Sequence, residues 1–132
     1  MGFQLGNLYV EKGQKTCGFL KLPFTEDELP VTLIYGREEG PTVLVDGGIH
    51  NAKPLGIECV TGLAKQLQPE DIKGILIMIH IVNVNGFQAR TVSVSAEDGK
   101  NLNRVFPGNE NGTYTDKLAY FMEKEIFSKV DY

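Results

Sequence analysis

"GPTVLVDGGIHNAKPLGIECVTGLAKQLQPEDIKGILIMIHIV", residues 40 to 82, decides how this chain folds. Thr42 to Asp46 is a short apolar run preceded by Pro41, of the kind found in strands buried on both faces. Gly47 and Gly48 break that run. Pro54 then opens a helix at a position where its missing N–H leaves nothing unsatisfied. Leu55, Ile57, Val60, Leu63, Ala64 and Leu67 recur at helical spacing, and Pro69 ends the pattern. Gly74 precedes a second buried strand, Ile75 to Val82. Strand, helix and strand in that order predict a right-handed parallel crossover in an α/β sheet.

Upstream, "FQLGNLYV" (3–10), "KTCGFLKL" (15–22) and "LPVTLIYG" (29–36) read as short strands bounded by Gly, Pro or acidic turn residues. Downstream, residues 85 to 114 lack a sustained period and are rich in Asn, Gly and Ser, which marks a long loop of the functional or mobile kind. "TDKLAYFMEKEIFSKV" (115–130) is an amphipathic helix with Leu118, Phe121, Met122, Ile126 and Val130 on one face and Thr115 as its N-cap. The expected architecture is one α/β domain over 1–132, a mixed, mostly parallel sheet with flanking helices. A small N-terminal β segment (1–40) precedes a strand–helix–strand core, an Arg/Asn loop and a terminal helix (41–132). Asp131 and Tyr132 directly follow that helix, with no strand after them.

A chain of 132 residues is one domain's worth, and 42% hydrophobic with 23% charged residues is ordinary for a soluble protein. Thirteen basic against seventeen acidic residues give a net charge of −4 without a basic cluster, which argues against a nucleic-acid partner. Cys17 and Cys59 are widely separated, as in a reducing compartment. The first residues lack the pattern of a secretion signal, and the longest apolar run, Ile75 to Val84, is too short to span a bilayer. The expectation is a cytoplasmic protein with no membrane partner.

His50 falls where open α/β sheets place ligands, after a Gly-Gly turn at the end of a parallel strand. Its imidazole either ligates a metal such as zinc, acts as acid or base, or simply caps the turn by hydrogen bonding, and the local sequence leaves these open. A second cluster lies in "ARTVSVSAEDGKNLNRVFPG" (89–108). Arg90 and Arg104 carry planar forks suited to a carboxylate, and Asn103 adds an amide beside them. The blander alternative is a surface loop whose arginines pair with its own acids.

Taken in order, "GPTVLVDGGIHNAKPLGIECV", "ILIMIHIVNVNGFQARTV" and "DGKNLNRVFPG" resemble the succinylglutamate desuccinylase/aspartoacylase family, which is related to the zinc carboxypeptidases. The resemblance runs from about residue 3 to the C-terminus, and the D-G-x-N-L-N-R-x-F-P-G block is its most specific part. It implies a zinc-carboxypeptidase-like fold, truncated relative to the longer family chains, and hydrolysis of an amide bond next to a carboxylate. It implies His50 as the first zinc ligand. Arg90, Asn103 and Arg104 would hold the substrate carboxylate and polarise the scissile carbonyl. In the family, a glutamate three residues after that histidine also binds zinc; a second histidine and a general-base glutamate come from later segments.

Lys53 stands at the position of that glutamate ligand. A coordinating anion is thereby exchanged for a cation, and His80 reads as a packed strand residue rather than a replacement ligand. Three outcomes follow: a family hydrolase of weak or absent activity, a metal-free relative that binds a small carboxylate, or a module that self-associates through an exposed sheet edge.

Overall fold

The computed structural model describes all 132 residues. β1 (Gly2–Leu5) and β2 (Leu8–Glu11) form an antiparallel hairpin, so the stretch read as one strand over 3–10 is two, folded back at Gly6 and Asn7. β3 (Lys15–Lys21), β4 (Glu28–Tyr35), β5 (Glu38–Asp46) and β6 (Lys73–Ile79) build a four-stranded sheet in the order β3-β4-β6-β5. β5 and β6 are parallel, joined by α1 (Pro54–Gln66), as the crossover requires. β4 runs antiparallel to both its neighbours, so the mixed sheet has one parallel pairing rather than a parallel majority. Only the connection that carries a helix is long enough to return a strand in the same direction.

Alternation along β4 and β6 sends apolar side chains to both faces of the sheet. Leu33, Ile77 and Ile79 face a core shared with Leu5, Leu8 and Val10 of the hairpin and Leu118, Met122 and Ile126 near the C-terminus. Ile34 and Met78 face Val60 and Ala64 of α1. The result is three layers, with the sheet in the middle. On α1 only Val60 and Ala64 are buried, and Leu55, at the open end of the stripe, is 79% exposed.

The long aperiodic segment contains the short α2 (Val84–Gln88) and a 3₁₀ turn at Leu102–Arg104. α3 (Tyr114–Phe121) runs on through a π-helical turn at Met122–Ile126 and a 3₁₀ turn at Phe127–Lys129. Its N-cap is Thr113, not Thr115. Asp116, three residues after Thr113, accepts the Thr113 backbone N–H at 3.0 Å and closes a capping box. Thr115 lies inside the first turn, where its hydroxyl donates to Asp98 Oδ1 at 2.7 Å.

Asp131 and Tyr132 are not left unpaired. Asp131 N–H donates to Thr42 O at 2.7 Å and Leu44 N–H donates to Tyr132 O at 2.9 Å, so these residues lie along the outer edge of β5. Past that contact β5 has no neighbouring strand on this side. No helix is long and apolar enough to cross a membrane. Cys17 and Cys59 are both free and exposed.

Candidate functional site

The parallel strands β5 and β6 end side by side, and the chain leaving each is stitched to the other. Gly47 N–H donates to Ile79 O at 2.9 Å, while Val82 and Asn83 donate to the carbonyls of Gly47 and Gly48 at 3.0 and 2.9 Å. A Cβ on Gly47 would sit 2.9 Å from Gly56 O, and Gly48 has a left-handed φ of 71°. Both glycines are therefore steric requirements of the turn that delivers His50. Lys53 is the N-cap of α1, yet its side chain makes no capping bond, and the first turn holds no acidic residue. The positive end of the helix and a lysine thus occupy the same place.

Above this turn lies a cleft of about 270 Å³ lined by Asp46, Gly47, Gly48, His50, Lys53 and Asn103, with Ile49 and Gly56 completing it. His50 Nε2 lies 2.9 Å from Asn101 Oδ1, which also accepts the Asn103 backbone N–H at 3.0 Å. A backbone N–H can only donate, which identifies the Asn101 atom as the amide oxygen. That oxygen carries no proton, so His50 donates from Nε2, and in the neutral ring this places the lone pair on Nδ1. Burial pushes the Asp46 carboxyl above its usual range. Asp46 forms no ion pair, with Lys53 or any other cation.

The cleft brings together His50, Lys53 and Asn103 but not the arginines. Arg90 lines a second cleft of about 640 Å³ with Asn51, Ala52, Phe87, Thr91 and Val92. Segment 50–53 is the wall between the two: His50 and Lys53 border one side, Asn51 and Ala52 the other. Arg90 is the single non-glycine residue with positive φ, 60°. Asn51 Nδ2 donates to Thr91 Oγ1 at 3.3 Å, while its buried Oδ1 has no partner. Arg104 is exposed beside the first cleft's Asn103, and its Nη1 reaches the Asn103 carbonyl at 3.3 Å. No arginine takes part in any ion pair, which removes the reading of a loop that neutralises its own charges.

No three of the His, Cys, Asp and Glu side chains come together in a group able to hold a metal ion. His80, just past β6, is held between the hydroxyls of Thr32 (2.9 Å) and Thr61 (3.2 Å), and burial lowers its pKa. Zinc requires at least three protein ligands. These residues by themselves therefore do not fit a zinc ion.

Sequence reasoning missed Asn101 and Asp46. Asn101 stands two residues before Asn103, a repeat that places two amides on one turn. Asp46 was legible as a charge ending an otherwise apolar buried strand, a position that costs free energy without a partner.

A mixed sheet whose parallel strands end beneath a cleft holding a histidine, a lysine and an asparagine from an Asn-Arg turn defines an α/β protein with a cleft at the carboxyl edge, where open α/β sheets place ligands. The model of the succinylglutamate desuccinylase/aspartoacylase catalytic domain matches residues 39–131, and the chain belongs to that family. It is 37% identical over 121 residues to the N-alpha-acetyl-L-2,4-diaminobutyric acid deacetylase of Halomonas elongata, covering 86% of this chain and 35% of that protein. Among solved structures, a succinylglutamate desuccinylase/aspartoacylase from Rhodobacter sphaeroides superposes with a TM-score of 0.83 at 31% identity, over 92% of this chain and 39% of that one. The product-bound ectoine utilization protein EutE (DoeB) from Ruegeria pomeroyi does so with a TM-score of 0.83 at 31% identity, over 95% and 40%. The chain thus spans between a third and two fifths of the length of these relatives.

Proposed function

We propose that this chain carries the cleft of a hydrolase acting on N-acyl amino acids, and that in its present form it binds the carboxylate of such a molecule with little or no turnover. The observation that carries the reading is the shared cleft of His50, Lys53 and Asn103 at the uncapped start of α1. A lysine, an amide and the positive end of a helix favour an anion there. Arg104, exposed beside Asn103 and without an ion-pair partner, supplies a planar fork for a ligand that extends beyond the cleft, whereas Arg90 serves only the cleft on the other side of segment 50–53. His50 Nδ1 offers the one lone-pair nitrogen of the cleft as a proton acceptor. Zinc, which the family resemblance implies, would meet a cation at position 53 in place of a coordinating carboxylate.

Thermal shift with N-acetyl amino acids and short dicarboxylates tests the reading. A ligand at ten times its Kd stabilises the folded state by about 1.4 kcal/mol. That shift should disappear in Asn103→Ala and Lys53→Met. Absence of a shift with every such ligand overturns carboxylate binding. Stoichiometric zinc in the purified wild type, or deacylation at ordinary enzymatic rates, overturns the inactive reading. Lys53→Glu should raise zinc affinity, measured by competition with a chelator.

A second reading rests on the outer edge of β5, which lacks a neighbouring strand beyond Tyr132. Open edges of this kind favour pairing between copies. Sedimentation at micromolar concentration should then report a dimer or larger species, and a strict monomer rules this out.

A further inference from the structure

The loop that supplies Asn101 is fastened to α3 at two points outside the cleft. Asp98 Oδ2 accepts the Thr113 hydroxyl at 2.6 Å and the Thr115 backbone N–H at 2.8 Å, and Oδ1 accepts the Thr115 hydroxyl at 2.7 Å. Oδ1 also accepts the backbone N–H of Lys100 at 3.1 Å. Lys100 Nζ in turn pairs with Asp116 Oδ2 at 2.5 Å, on the carboxylate that closes the α3 capping box. Ser95 closes the loop from the other side: its N–H donates to Lys100 O, and its carbonyl accepts from Gly99, both at 2.9 Å. Asn101 is the next residue, and its amide oxygen holds His50 Nε2.

We propose that Asp98, Lys100 and Asp116 are positioning residues: by clamping the 98–101 segment to the first turn of α3, they press Asn101 against His50 and hold the imidazole with its proton on Nε2 and its lone pair on Nδ1. The physical reason is leverage over short distances. Asn101 has rotatable bonds of its own, and an unanchored loop would let its amide leave the ring or turn its NH₂ towards it. Either change removes the acceptor that selects the tautomer. The clamp bridges elements far apart in sequence, so the readiness of His50 depends on how α3 begins. The inference rests on His50 being the working imidazole of the proposed function, yet its readout needs no ligand and no turnover.

The test is ¹⁵N NMR of the two imidazoles in the intact chain. His80, held between Thr32 and Thr61, serves as internal control for the fold. Wild type should show His50 in the Nε2–H form, and Asn101→Ala should lower the ratio of Nε2–H to Nδ1–H roughly fivefold, the size of one net hydrogen bond. Thr115→Val and Lys100→Met should lower it in the same direction with the His80 signals unchanged, and Thr115→Ser and Lys100→Arg should restore it. If Asn101→Ala moves the ratio while Thr115→Val and Lys100→Met leave it alone, the clamp has no positioning role. If Asn101→Ala also leaves it alone, Asn101 does not select the tautomer. Loss of carboxylate binding with the tautomer intact would instead count only against the proposed function.

Discussion

Asp98→Asn is the substitution whose cost the structure defines best. Burial works against the Asp98 charge, but bonds from the Thr113 and Thr115 hydroxyls and the backbone N–H groups of Thr115 and Lys100 overcome it, and its pKa falls from 3.8 to about 2. Fully converted, that difference is worth at most about 2.5 kcal/mol. The carboxylate is partly open to water, so screening reduces the figure to about 1.5 kcal/mol. Over 132 residues this lowers Tm by about 5 °C. The sign follows from the depressed pKa. Stability from this group is complete above the unfolded value of 3.8 and drains away as pH falls towards about 2. Urea unfolding of wild type and Asp98→Asn at pH 7, 4 and 2.5 should therefore show a gap of about 1.5 kcal/mol at pH 7 that shrinks to well under half at pH 2.5. A gap of equal size at all three values would refute the electrostatic argument, and no gap at pH 7 would refute the clamp's contribution altogether.

Lys15 of β3 donates from Nζ to the carbonyls of Ala64 and Leu67 at the end of α1, so Lys15→Met should cost about 2 kcal/mol in urea unfolding through lost charge-assisted bonds and helix-dipole compensation. Gly74 has a φ of 81°, and an added Cβ would lie 2.1 Å from Pro41 O; Gly74→Ala should destabilise by at least about 2 kcal/mol, visible as a lower Tm. Burial lowers the His80 pKa, so protons bind more readily to the unfolded chain as pH falls through 6.5; wild type should lose stability over that window, and His80→Gln should flatten the loss.

The sequence alone determined the crossover. Prolines at 41, 54 and 69, paired glycines at 47 and 48, and a helical stripe between two apolar runs leave β5–α1–β6 as the one arrangement that buries both strands. The same local logic marked His50, Asn103 and the family motif, because turns and strand ends are written in residues a few positions apart. Tertiary structure decided the rest. Strand direction beyond the crossover depends on which edges meet, so β4 against β6 was not legible from either strand. Thr113 rather than Thr115 is the cap because Asp116 closes a box with it, while Asp98, from another loop, accepts the hydroxyls of both threonines and ties the start of α3 down. The separation of Arg90 from the His50 cleft likewise arises from how segment 50–53 packs between two loops. Spacing along a chain reports which side chains share an element; which elements share a wall is set by packing across the sheet, and no local pattern carries that information.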